Sequence, residues 1–180
     1  MQAVGLQERY HNDEDLAVSV RMIPALAFVP LDKVVEAFET LQDSLPAELE
    51  GVINYFEDTY IGHLLRRRRA TPMYHTQIWN VHSRVVNDLP RTNNGVEGWN
   101  RKMQSAITSH HPNIWRFLRI LQREQSLTNA QLNQLFGGHA PQPPKKKYKD
   151  CSVRISHIVA DFNNRSIKDY LKAIALNISV

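Results

Sequence analysis

Apolar residues recur along this chain at intervals of three and four, and that period constrains the fold more than any other feature. In residues 31–42 the apolar set is Leu31, Val34, Val35, Phe38 and Leu41, a single helical face. Ser44 suits an N-cap for the next helix, Pro46 its first turn, and Glu48 stands favourably against the helix dipole. That helix carries Leu49, Val52, Ile53, Phe56 and Tyr60 on one side, and Gly62 suits its end. Residues 13–28 show the same period, with Pro24 expected to kink or split them. A short apolar segment at 78–86 ends at Asn87-Asp88-Leu89-Pro90. Residues 94–108 align Val96, Trp99, Met103, Ala106 and Ile107 as a buried stripe. Pro112 suits the first turn of a longer helix carrying Ile114, Phe117, Leu118, Leu121, Leu132 and Leu135, which Gly137-Gly138 stops. Two last helices fit 151–162 and 166–176. Alternating runs bounded by turn residues are missing, and no internal repeat is visible. The expected fold is all-α, an irregular array of about seven or eight helices.

Composition narrows the class. A chain of 180 residues with 42% hydrophobic residues can bury a core, and a net charge of +4 is too low for a disordered chain. The most apolar stretch, residues 16–30, is broken by Arg21 and Pro24 and is too short to span a bilayer, so no membrane role is expected. Glu8, Asp13, Glu14 and Asp15 stand where a secretory signal would place basic and then apolar residues. Cys151 is the single cysteine, which excludes an internal disulfide and suggests an intracellular setting.

The charge is unevenly spread. Residues 1–62 hold twelve acids and three bases, whereas residues 63–180 hold six acids and nineteen bases. The basic portion is a candidate partner for a polyanion. The expected organisation is an acidic helical lobe at 1–62, a basic linker and short helix at 63–90, and two helices at 91–138. An extended Pro/Lys-rich linker at 139–149 and a C-terminal helical hairpin at 150–180 complete it.

The densest constellation is Leu89-Pro90-Arg91-Thr92-Asn93-Asn94-Gly95-Val96-Glu97-Gly98-Trp99-Asn100-Arg101-Lys102. Two roles fit Glu97 on spacing alone. With Asn94 as cap it completes a capping box, returning a hydrogen bond to the cap's N–H. Alternatively, a carboxylate among strong donors and bases suits a divalent metal that bridges to phosphate oxygens. Gly95 and Gly98 cost a helix about 1 kcal/mol each, which is better tolerated where a phosphate or another element approaches the backbone.

The run from Leu89 to Asn100 resembles the C-terminal part of eukaryotic Mutator-like element (MULE) transposases. So do Ala25-Leu26-Ala27-Phe28-Val29-Pro30, Tyr55-Phe56-Glu57-Asp58-Thr59-Tyr60-Ile61-Gly62, Ile78-Trp79-Asn80-Val81, His111-Pro112-Asn113-Ile114-Trp115 and Lys146-Lys147-Tyr148-Lys149. The resemblance is spread over nearly the whole chain. It implies the helical insertion and C-terminal helices of an RNase H-like transposase without its β-sheet. Glu97 then matches the third acid of a DDE triad, whose three carboxylates hold two Mg²⁺ ions for phosphoryl transfer. The other two acids would lie upstream on the missing sheet, and the family's cysteine-and-histidine motif is absent before Glu97. The expectation is a transposase fragment with an incomplete triad, inactive alone and needing no cofactor by itself. Mg²⁺ at Glu97 would require two further acids from a missing catalytic segment or a second protomer.

The DNA contacts expected of such a fragment are weak and nonspecific. Arg66, Arg67, Arg68 and Arg69 form one cluster, and Lys145, Lys146 and Lys147 another. Arg91, Arg101 and Lys102 flank Glu97. Solvated loops carry such charges equally well. The basic tail also matches a nuclear-import pattern, which places the expected fragment in the nucleus. Eight histidines do not suggest zinc, because only His110 and His111 adjoin and helical neighbours point apart. Trp79, Trp99 and Trp115 fall on apolar stripes and read as core, and Cys151 as a small buried hydrophobe. The rival expectation is a helical protein-interaction module with no DNA role.

Overall fold

Asp13 starts the first long helix, its Oδ1 accepting the Leu16 N–H at 3.0 Å. The computed structural model describes residues 7–66, 68–92, 94–107, 113–140 and 146–178. After a short helix α1 (Gln7–Asn12), α2 (Glu14–Ala25) passes at Pro24 into a tighter 3-10 turn, Leu26–Phe28. Pro24 lies inside the last turn of α2, where its missing N–H removes the bond to the Val20 carbonyl. A second 3-10 turn leads into α3 (Val34–Gln42). Ser44 does not cap the next helix; its hydroxyl donates to the Leu41 carbonyl and closes α3 instead. Helix α4 (Glu50–Phe56) widens into a π-helical turn over Glu57–Ile61 and ends at Gly62.

A two-stranded antiparallel hairpin follows, β1 (Leu64–Leu65) and β2 (Arg68–Arg69). The periodicity did not foretell it, because two-residue strands are too short to show alternation. Helices α5 (Thr76–Trp79) and α6 (His82–Val86) come next, then α7 (Asn94–Ala106) and α8 (Ile114–Phe136). The chain closes with α9 (Lys146–Ala160) and α10 (Ile167–Ala175). The hairpin apart, the described residues form an all-α protein. No helix among them is long and apolar enough to cross a membrane.

The chain divides into two compact units. The first joins residues 1–91 to 146–180, so the acidic N-terminal helices and the C-terminal pair share one core. Helix α10 packs on α2, α3 and α9, and α6 packs on α9. Ser166 caps α10 by accepting the Asp169 N–H, while its hydroxyl donates to the Asp169 carboxylate. Tyr170, Leu171, Ile174 and Ala175 are thereby fully buried with Leu26, Val29 and Ala37. The stretch 76–86, which reads as a linker and short helix, is tied down by hydrogen bonds. Val81 N–H donates to the Ala27 carbonyl and the Asn80 amide to the Val29 carbonyl, both at 2.8 Å. Lys146 to Lys149 begin helix α9, where an extended linker is the sequence expectation.

The second unit, residues 92–145, contains α7 and α8. The Lys102 ammonium lies 2.5 Å from the Glu124 carboxylate and links the two helices. Met103 is buried, as its place on the stripe predicts. Val96, Trp99 and Trp115 are exposed, against the expectation that they are core. Helix α8 has no buried residue, and Phe136 at its end is 87% exposed.

Candidate nucleic-acid interface

Arg66, Arg68 and Arg69 do not act as one surface. The base of their hairpin is fixed by two residues that the fold determines tightly. Gly62 has φ +86°, and a Cβ placed on it would lie 1.9 Å from the Ala70 carbonyl oxygen, so only glycine fits. The π-helical turn before it closes with Gly62 N–H donating to the Glu57 carbonyl at 2.6 Å. That turn brings Glu57 to Arg69, whose Nη1 donates to Glu57 Oε1 at 2.6 Å and to the Gly62 carbonyl at 2.8 Å. Nη2 donates to Glu39 Oε1 at 2.8 Å, and the guanidinium lies 5.7 Å from the Phe38 ring centroid. Burial acts to lower the Arg69 pKa, but hydrogen bonds and charge from Glu39 and Glu57 outweigh it and hold the group above its ordinary value. Arg69 therefore holds the hairpin to the helical core, with both ends of its fork occupied.

Phe38, Phe56, Tyr60, Tyr74 and Trp79 form a chain of ring contacts beneath this base. The Tyr74 N–H donates to the Thr59 carbonyl at 3.0 Å and ties the segment after β2 to the same turn. Trp79 is thus packed against the core, as its stripe predicts.

Arg66 and Arg68 differ from Arg69. Both are exposed, and among the described residues neither has an ion-pair partner. Leu65 pairs with Arg68, and Arg66, after Leu65, takes φ +50°. Arg67 lies outside the described residues, as do Lys145, Asn93, His110 and His111.

The other sequence-derived candidates also separate. Arg91 is engaged within the first unit, donating to Ser152 Oγ at 3.0 Å and standing 5.8 Å from the Phe28 ring centroid. Lys146 and Lys147 are exposed in the first turn of α9, where cations oppose the helix dipole. Glu97 sits in the first turn of α7, its carboxylate 3.8 Å from the Arg101 guanidinium one turn on, and both side chains are half-exposed or more. Among the described residues nothing lies within 4 Å of a Cβ placed on Gly95 or Gly98, so no described element uses their small size. Among the described residues no three His, Cys, Asp or Glu side chains come together to hold a metal. Glu97 alone, beside a guanidinium, does not make up a two-metal centre, which would need further carboxylates.

Charge counted by unit differs from charge counted along the sequence. The first unit holds sixteen acids and sixteen bases, and the second holds two acids and six bases. The acidic and basic stretches of the sequence largely cancel inside one core, and the net +4 resides in residues 92–145. There Arg116, Arg119 and Arg123 share one side of α8 by their spacing of three and four. Arg119 and Arg123 are exposed, with no ion pair to either among the described residues. Sequence reasoning passed over this stripe, since it tracked the apolar side of the same helix. Comparison of the chain with protein-family models, with curated proteins and with solved structures finds no match.

Proposed function

We propose that this chain is a DNA-binding C-terminal portion of a MULE-type transposase, able to hold duplex DNA but not to cut it alone. The observation that carries the reading is the excess of four positive charges on the second unit, with Arg119 and Arg123 presented on α8 without acidic partners among the described residues. Guanidiniums so placed neutralise phosphates and release counterions, a sequence-independent source of affinity. The Thr92-Asn93-Asn94-Gly95-Val96-Glu97 motif at the start of α7 supports the transposase assignment, with Glu97 as the third acid of the triad. Strand transfer then requires two further carboxylates and their Mg²⁺ ions from other polypeptide. The reading places the protein in the nucleus, where such a substrate lies.

Fluorescence anisotropy with a labelled duplex tests the binding. Wild-type chain should bind at low ionic strength, and Arg119→Gln with Arg123→Gln should bind several-fold more weakly with an unchanged melting temperature. Equal affinity of the two proteins would remove α8 from the interface.

A specific observation favours a second reading, a helical module that binds protein. Leu127, Leu132, Leu135 and Phe136 are all exposed on α8, and single exposed leucines are ordinary whereas a series on one helix is less so. Sedimentation with and without duplex separates the readings, because this module would leave the DNA unbound.

A further inference from the structure

The β1–β2 hairpin combines features that neither the fold nor the α8 stripe explains. Its base is over-determined by Gly62, by the hydrogen bonds of Arg69 to Glu39, Glu57 and Gly62, and by the main-chain bond from Ala70 N–H to the His63 carbonyl at 2.9 Å. Its tip has the opposite character. Positive φ favours glycine, asparagine or aspartate, yet Arg66 occupies φ +50°. A bulky residue held in that region, on a rigid support, points to a use for its side chain. Arg66 and Arg68 are exposed there, and the hairpin contains no acid and no lysine.

We propose that this hairpin is a phosphate-contacting finger for duplex DNA, with Arg66 and Arg68 as the contacting side chains and Arg69 as the anchor that fixes them. The proposal rests on the DNA-binding reading above and adds a second contact element to it, on the other compact unit. Arginine suits the role because its planar fork meets phosphate oxygens bidentately, and a fixed support spares the ordering cost of a mobile loop. An anionic membrane is the competing polyanion. Leu64 and Leu65 are both exposed, but successive strand residues face opposite sides, so they make no single apolar face to bury among acyl chains. Arg68 shares a side with Leu65 across the ladder, which sets an exposed cation beside that leucine.

The test uses a double variant chosen to keep the fold. Arg66→Asn supplies a residue better suited to the left-handed region while removing the charge, and Arg68→Gln removes the second charge from an exposed strand position. The full chain and the variant are titrated with a labelled duplex at several salt concentrations, and their melting temperatures are compared. The expected result is roughly tenfold weaker binding, a salt slope shallower by about 2, and a melting temperature no lower than wild type. If wild type binds and the variant matches it in affinity and slope, the finger is wrong while DNA binding through α8 stands. If wild type binds no duplex, the DNA reading fails and takes the finger with it. Vesicles of phosphatidylcholine with phosphatidylserine supply the last arm. Binding to them that needs Arg66 and Arg68, with no loss on duplex, would overturn the assignment to DNA.

Discussion

The hydroxyl of Tyr170 donates a 2.6 Å hydrogen bond to the main-chain carbonyl of Phe28, joining positions 142 residues apart. The phenol is fully buried and meets the Phe162 ring edge-on at 4.8 Å between centroids. This contact fastens α10 to the 3-10 turn that follows α2. Tyr170→Phe leaves the Phe28 carbonyl without that donor and should cost about 1–2 kcal/mol in urea denaturation.

The same residue gives stability a dependence on alkaline pH. Burial pushes the Tyr170 phenol above its ordinary value of 10.0. The unfolded chain therefore gives up the proton first, and the stabilisation is complete below that value and declines as pH rises beyond it. One proton corresponds to a slope of about 1.4 kcal/mol per pH unit. Denaturation of wild type and Tyr170→Phe at about pH 8 to 11 should show stabilities that converge as pH rises. Parallel curves would contradict the assignment.

Gly62→Ala should destabilise the first unit by about 2–4 kcal/mol, through a left-handed backbone and a collision with Ala70. Circular dichroism melting measures it. A change within about 0.5 kcal/mol would mean that the hairpin base is looser than its geometry.

Arg69→Met should cost about 1–2 kcal/mol, because Glu57, with 17% of its side chain exposed, loses its cation in a largely apolar setting. Adding Glu57→Gln should return part of that loss, a coupling that a double-mutant cycle reads directly. Simple additivity would place the two residues outside one network.

Helix α7 gives the reverse sign. Gly95→Ala and Gly98→Ala should each stabilise it by about 1 kcal/mol, since nothing occupies the space of the added methyl. Glu97→Gln should change stability by less than about 0.5 kcal/mol, because its ion pair with Arg101 is long and exposed.

Much of the helical order was legible in the sequence, because burial of one face writes a period of three and four. Val34, Phe38 and Leu41 on α3 are buried as that period predicts. Leu31 and Val35, counted on the same face, are exposed: a 3-10 turn at 31–33 shifts the phase of Leu31, and Val35 lies about 100° round α3 from Val34, at the flank of the buried face. The meeting of α10 with α2 was hidden, because periodicity says which face is apolar and not what covers it. The role of Arg69 is hidden for a related reason. A run of arginines looks uniform in sequence, and only the π-helical turn and Gly62 place Glu57 where one of them is consumed. Trp99 and Trp115 lie on apolar stripes that the chain itself leaves exposed.

The central claim is that this chain holds duplex DNA by neutralising phosphates. Its most direct test is the dependence of wild-type affinity on salt, measured by anisotropy from low to physiological ionic strength. With three or more phosphates neutralised, the logarithm of affinity should fall linearly with the logarithm of salt, at a slope of about −3 or steeper. No binding at low salt, or an affinity indifferent to salt, would contradict the account.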